Sequence, residues 1–437
     1  MPAVPVQPRA GASSGTGAPY GAALSMLATL FFMWGFITVI NGTLLPHLRS
    51  VMVLSYSQTT LIESVWFIAY FVASVPSAKI IERIGYKKSM VTGLIVMAVG
   101  ALIMIPASML LSYGVVLTAM FVIASGIALL QVAANPYVAV IGPSESASSR
   151  LNLVQAFNSM GTTLAPLFGA YLILGRSVSG TTEGGAAALT LEQRLADAQT
   201  VQLPYLIVAG VLLVLAIVIA RFKLPAMGAA VSRHSREARK NHSLWQHRNL
   251  VFGVPAIAIY LIAEIGVGNL FVNFVSQPDI GNLTHEQAGH YLFLLWGGMM
   301  VGRFLGAFLM RSVKPETVLA VASALAFVVM TITTFAHGPV AMWALISVGL
   351  FHSIMFPTIF TLGIKGLGPL TEEGSGLLIM AIAGGALVYF QGKFADAYGL
   401  QASFIICAIC ELYVLFYALW GSKATNALED EVATAVE

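Results

Sequence analysis

The sequence predicts an all-α membrane protein, and three observations predict it. Hydrophobic residues make up 58% of the 437-residue chain and charged ones only 9%, against roughly 25% charged in a soluble domain. Mean hydropathy is +0.84, so a soluble fold would lack the charge to wet its surface. The apolar residues fall in continuous runs of about 20, the length of a helix crossing a ~30 Å hydrocarbon core. In lipid the backbone must satisfy its own hydrogen bonds, so spans are helices or closed barrels. The roughly ten-residue alternation of barrel strands is absent.

Twelve such runs occur in order, at 22–48, 58–81, 88–108, 112–140, 150–175, 201–222, 250–277, 287–311, 316–336, 339–364, 374–395 and 401–422. The longest polar stretch between runs, 223–249, divides them six and six. The expected organisation is a disordered cytoplasmic tail at 1–21, a six-helix bundle at 22–222, a cytoplasmic linker at 223–249, a second six-helix bundle at 250–422, and a cytoplasmic tail at 423–437. The first residues are rich in Pro, Gly, Ala and Ser, and the first apolar run leads into a polar-studded helix, which argues against a cleaved signal peptide. In the Gly/Thr-rich insertion 176–200, Thr190 and Gln193 resemble a capping box and predict a short surface helix near 191–199.

Lys and Arg set the topology. With both termini cytoplasmic, the inner segments hold sixteen basic residues, from Arg9 to Lys423. The outer segments hold four: Arg49, Arg176, Arg194 and Lys393. This is the positive-inside bias of a multi-pass membrane protein. The basic residues sit in short loops and form no nucleic-acid footprint. Cys407 and Cys410 read as small helix-packing residues, since no His or further Cys joins them; no metal or cofactor is expected.

Charge inside lipid is expensive, at least ~2.5 kcal/mol at a helix centre, so the exceptions are informative. Glu63, Glu264 and Glu411 fall inside apolar runs. Uncharged polar residues also share faces at helical spacing. Trp34, Thr38 and Asn41 align in the first run, and Gln131 and Asn135 in the fourth. Asn152, Gln155, Ser159 and Thr162 align in the fifth, with Asn158 beside them. Asn269, Asn273 and Gln277 align in the seventh, and His352, Phe356 and Phe360 in the tenth. The first, fourth, seventh and tenth runs hold equivalent places in successive triplets, as the helices lining a central path do in transporters built of repeats. Each amide offers a donor and an acceptor to a pair of sugar hydroxyls, and the Trp34 and Phe356 rings suit the C–H face of a pyranose. The competing reading is interhelical hydrogen bonding by the same amides.

The segment Ala78-Lys79-Ile80-Ile81-Glu82-Arg83-Ile84-Gly85-Tyr86-Lys87-Lys88 resembles a cytoplasmic motif of the major facilitator superfamily, departing from it at Ala78, Glu82 and Tyr86. A weaker echo runs from Gly306 to Lys314. Longer pieces are similar to the fucose permease and glucose/galactose transporter branch. They include Phe31-Phe32-Met33-Trp34-Gly35-Phe36, Gln131-Val132-Ala133-Ala134-Asn135-Pro136-Tyr137, Gln155-Ala156-Phe157-Asn158-Ser159, Trp296-Gly297-Gly298 and Phe356-Pro357-Thr358-Ile359-Phe360. Together they cover residues 22–422.

The resemblance implies the major facilitator fold and alternating access around a central sugar site. That site would comprise Trp34, Thr38, Asn41, Gln131, Asn135, Gln155, Asn158, Asn269, Asn273, His352 and Phe356. Two acids of the fucose/proton symporters are replaced, by Gly42 and by Gln131. Glu264, in a run similar to an acid-bearing motif of the glucose/galactose branch, is the first candidate for coupling. A carboxyl held out of water carries a proton; kept ionised, it binds Na⁺. A structural acid paired with a neighbouring helix is the alternative. Glu63 is the second candidate. Glu82, Arg83 and Arg303 read as structural or gating groups, and Glu411 as a partly hydrated or lipid-facing acid. The run Gly384-Gly385-Ala386-Leu387-Val388 is one residue short of the family pattern before Tyr389, and on an α-helix that rotates the downstream residues by about 100°.

The expected protein is a monomeric secondary active transporter of a monosaccharide in a cell inner membrane. The substrate would be a hexose such as glucose or galactose, or an amino sugar, with H⁺ or Na⁺ as coupling cation. An uncoupled sugar facilitator and a transport-inactive sugar sensor are the alternatives. The dispersed carboxylates show no catalytic spacing, so an enzyme is not expected.

Overall fold

The computed structural model describes residues 20–52, 56–174, 198–225 and 243–424. Most of the predicted surface helix at 191–199, the tails and the basic stretch of the linker lie outside them. The described chain is helical throughout: α1 (Tyr20–Met52), α2 (Tyr56–Met109), α3 (Tyr113–Val140), α4 (Ala147–Leu174), α5 (Gln202–Arg221), α6 (Arg248–Val275), α7 (His285–Leu309), α8 (Pro315–Phe335), α9 (Gly338–His352), α10 (Met355–Ile364), α11 (Thr371–Met380), α12 (Val388–Tyr398) and α13 (Leu400–Phe416).

Helix starts follow local chemistry. Thr284 opens α7 with a reciprocal capping box, its hydroxyl accepting from the Gln287 N–H while the Gln287 side chain accepts from the Thr284 N–H. Pro315 begins α8 where no intrahelical N–H is needed.

Ten stretches among the described residues are long and apolar enough to cross a membrane. The longest, Ser64–Met109, has 46 residues, about 69 Å of helix against a ~30 Å core. Two predicted runs, 58–81 and 88–108, lie along it and meet at Gly85. There φ is 79° and ψ 165°, a bend only glycine makes without strain. α4, which carries Asn152, Gln155 and Asn158, is not among the ten.

Two predicted runs are interrupted. The run at 339–364 breaks at Ser353–Ile354, between α9 and α10. The run at 374–395 becomes α11, a 3₁₀ stretch over Ala381–Leu387, and α12. That 3₁₀ stretch covers the segment read as one residue short. Its seven residues rise about 3.5 Å more and wind about 140° further than α-helix would. A missing residue removes about 1.5 Å and 100°, so the tighter winding makes up both and overshoots by about 2 Å and 40°.

α1 packs on α4, and α2 on α3 and α5; later in the chain α6 packs on α10 and α13, α7 on α9, and α8 on α9 and α13. The α1–α4 crossing is close because Gly35 and Gly161 face it. A Cβ on Gly161 would run into the Phe32 carbonyl, and one on Gly35 into the Asn158 carbonyl. Contacts between the first and second halves of the chain run from α4 to α7 and α10, and from α2 and α3 to α11.

Candidate substrate path and gate

α1, α2, α3 and α4 gather the predicted polar residues of the first half. The Trp34 ring is buried and meets Phe31 edge-on at 5.3 Å. The Thr38 hydroxyl donates to the Trp34 carbonyl at 2.9 Å. On α3, Gln131 and Asn135 stand one turn apart and both are buried. Gln131 Nε2 donates to Tyr70 Oη at 2.6 Å, and Asn135 Oδ1 accepts from Gln155 Nε2 at 3.4 Å. Asn158 Nδ2 donates to the Phe31 carbonyl at 2.9 Å. Asn135 Nδ2 is buried without a hydrogen-bond partner, and an amide donor left in that state costs about 1–3 kcal/mol. A ligand hydroxyl is one way to satisfy it. The structure thus pairs Asn135 with Gln155 and Gln131 with Tyr70, a residue the sequence does not single out. Tyr70 sits in a continuous apolar run, and only its own hydroxyl sets it apart. The side chains of Asn41 and Glu63 lie outside the described residues.

The second half places its candidates in different settings. Asn269 and Asn273 are exposed on α6, and Phe356 is buried with its ring 6.1 Å from Phe360. Glu264 is half-buried, within electrostatic reach of Tyr260 and Arg303. His352 does not present its Nε2 to a path: that atom lies 2.8 Å from Glu411 Oε1. Glu411 is therefore no lipid-facing acid. It is fully buried and turned inward, since an ionisable group beside a partner is cheaper than one against lipid. Cys407 and Cys410 are buried free thiols. Among the described residues no group of three His, Cys, Asp or Glu is arranged to hold a metal.

Hydrogen bonds tie the first half of the chain to the second. Ser148 and Thr361 hydroxyls lie 2.6 Å apart, Ser149 Oγ donates to the Ala307 carbonyl at 2.6 Å, and Asn152 Nδ2 donates to Thr358 Oγ1 at 3.2 Å. Ser375 Oγ donates to the Val132 carbonyl at 3.2 Å. Arg303 spans both halves: its Nε donates to the Ser353 carbonyl at 3.0 Å, while Nη1 donates to the Gln155 carbonyl at 3.2 Å and to Ser159 Oγ. Tyr86, in the loop motif where the family pattern has Arg, donates its hydroxyl to Glu372 Oε1 at 3.1 Å. Glu82 and Arg83 of that motif are exposed.

Comparison with known proteins agrees with this architecture. Residues 24–389 match the Major Facilitator Superfamily profile. The chain is 45% identical over 406 residues to a glucose/galactose transporter of Brucella abortus, covering 93% of this chain and 95% of that protein. It is 33% identical over 419 residues to the L-fucose-proton symporter of Escherichia coli K12, covering 92% and 94%. Its fold superposes on the crystal structure of the transporter FucP in the outward conformation with a TM-score of 0.82, at 32% identity, covering 92% of this chain and 99% of that one.

Proposed function

Because the chain belongs to the major facilitator superfamily, we propose that it carries a monosaccharide across a cell inner membrane: a hexose such as glucose or galactose, or an amino sugar. The observation that carries the reading is 45% identity along 93% of the chain to a glucose/galactose transporter. The amide cluster gives that likeness a chemical site. Gln131, Asn135, Gln155 and Asn158 pair with sugar hydroxyls, Asn41, Asn269 and Asn273 are further sugar contacts, and Trp34 and Phe356 cover the ring's C–H face. His352 is better assigned to Glu411 than to the sugar.

The twelve-span count follows when Ser64–Met109 counts as two spans across Gly85 and α4 is added to the ten apolar stretches. Residues 22–222 and 250–422 then form the two bundles, joined by the linker 223–249. The closed end carries Arg83, Lys87, Lys88, Arg150, Arg311, Lys314 and Lys365, which makes it cytoplasmic by the positive-inside bias. Both termini are cytoplasmic and the carrier works as a monomer. In this state the sugar enters from outside. Its contacts with both halves favour closure of the outer end, and the hydrogen bonds of the cytoplasmic gate give way. Glu264, beside Arg303 of that gate, couples the cycle to H⁺ or Na⁺.

Reconstituted in liposomes, the protein is expected to take up or exchange at least one sugar from a panel of hexoses and N-acetylhexosamines. Folded protein that moves none of them would sink the carrier reading. Glu264→Gln is expected to keep sugar exchange and lose accumulation above equilibrium under a pH or Na⁺ gradient. Full accumulation by that variant would remove the coupling role. One observation favours an uncoupled facilitator instead: the described polar groups of the N-terminal half of the path are amides, hydroxyls and an indole, none of which titrates near neutral pH. Wild-type accumulation under either gradient decides against it.

A further inference from the structure

His352 and Glu411 form a buried acid–imidazole pair outside the sugar-contacting cluster. His352 ends α9, and Glu411 lies within α13. Nε2 and Oε1 are 2.8 Å apart, and the two side chains are 2% and 0% exposed. Glu411 Oε2 is buried with no hydrogen-bond partner. A permanently ionised carboxylate ordinarily takes donors on both oxygens. Here one oxygen is served by the imidazole and the other by nothing.

The possible charge states differ in cost. With no added proton the pair is a carboxylate beside a neutral imidazole, one net negative charge in the interior. With one proton it is net neutral, either as imidazolium and carboxylate or as imidazole and carboxylic acid. With two it is net positive. An uncompensated buried charge costs several kcal/mol, so the interior selects the one-proton state. Binding adds one H⁺ and takes the pair from −1 to 0; release returns the same H⁺ to water, with no other reactant.

The pair is wired to the break between α9 and α10. The His352 ring meets Tyr260 edge-on at 5.7 Å, and the His352 carbonyl accepts from Tyr260 Oη at 3.1 Å. The next carbonyl, of Ser353, accepts from Arg303 Nε. The two carbonyls at the break are thus held by a tyrosine touching the pair and by an arginine of the gate. From the packed elements, α6 presents Tyr260 and Glu264, α7 presents Arg303, and α13 itself adds Cys407, Cys410 and Tyr413. The titratable groups of α12, Tyr389, Lys393, Asp396 and Tyr398, are exposed. Glu316 of α8 pairs with Lys365.

We infer that the His352–Glu411 pair is a proton-binding site, separate from Glu264, whose occupancy sets the α9–α10 break and through it the gate. Its role in transport rests on the sugar-carrier reading; proton binding itself does not. The test is nuclear magnetic resonance of the full chain in lipid nanodiscs with isotope-labelled histidine, the His352 signal being assigned by its loss in His352→Gln. Losing the proton either discharges the His352 ring or turns the carboxylic acid beside it into a carboxylate, and both change the ring's signals. The expected result is a His352 signal that changes with pH, and whose pH dependence differs in Glu411→Gln. An unchanged pH dependence in the variant overturns the inference. If Glu411→Gln does not fold, the wild type decides alone: a His352 signal that shows the pair taking up a proton as pH falls upholds the site, and one that shows no proton bound at any pH overturns it. In liposomes, Glu411→Gln is expected to keep counterflow within twofold and to lose accumulation under a proton gradient; unchanged accumulation overturns the link to the gate. Absence of any sugar movement by the wild type, with His352 titrating as described, would remove the carrier reading and leave the proton site standing.

Discussion

Gln131 owes its orientation to one bond, donated by Nε2 to Tyr70 Oη at 2.6 Å. The acceptor sits on a different helix, so the pair fixes α3 against α2 and turns the amide to a defined angle. Tyr70→Phe removes the acceptor and little else, since the ring keeps its packing. A neutral hydrogen bond contributes about 0.5–1.5 kcal/mol, and that much lost orientation raises the half-saturation for sugar roughly two- to thirteenfold. Counterflow kinetics measure it; an unchanged half-saturation would show that Gln131 needs no positioning. Gln131 itself was legible in the sequence, as an amide in an apolar run one turn from Asn135. Tyr70 was not, because tyrosine is ordinary in a span and its contact is made across 61 positions of sequence. Glu411 misled for a related reason. An acid near the chain's end reads as peripheral until its partner His352, on another helix, is known.

At the scale of elements, apolar run length located the helices because the bilayer core sets it, and α2 bends at Gly85 between two of the predicted runs. Neither interruption in the later runs announces itself in composition: α9 and α10 are both apolar, and their break is held by Tyr260 and Arg303 from other helices. The 3₁₀ stretch Ala381–Leu387 was visible only as a segment one residue short. There Gly384 lies against Ala258 of α6, and Gly385 against Ile265 of α6 and Phe67 of α2, so side chains larger than hydrogen do not fit. If tight winding compensates for a missing residue, restoring the residue should relieve it. Eight α-helical residues span about 12 Å and 800°, against about 14 Å and 840° for the seven wound as 3₁₀. One Ala inserted between Leu387 and Val388, where Leu387 is exposed, is therefore expected to leave a folded protein with counterflow within about threefold of wild type, a penalty near 0.7 kcal/mol. Loss of monodisperse protein on size-exclusion chromatography would show that the 3₁₀ geometry itself is required.

For the whole molecule, the proposed alternating access would rest its balance of outward and inward states on a few hydrogen bonds at one end. Ser148 and Thr361 face each other inside the gate, flanked by the Asn152–Thr358 and Ser149–Ala307 contacts. All these groups are polar and buried, so a gate that loses one member keeps the desolvation cost of the other. Replacing both members, as Ser148→Ala with Thr361→Val, removes the attraction without stranding a partner. The same double change leaves the inward state, where the two helices separate, nearly untouched. The closed gate is then weakened by about 1 kcal/mol, and the outward population falls about fivefold relative to the inward one. A cysteine at Asn273, exposed on α6 toward the other end, reports that population through its reaction with a membrane-impermeant maleimide. Cys407 and Cys410 are buried and contribute little background. The expected outcome is slower labelling in the gate variant than in the parent, with saturating sugar shifting both. Equal rates in the two proteins would mean that other contacts, Arg303 to α4 foremost among them, hold the gate without this pair.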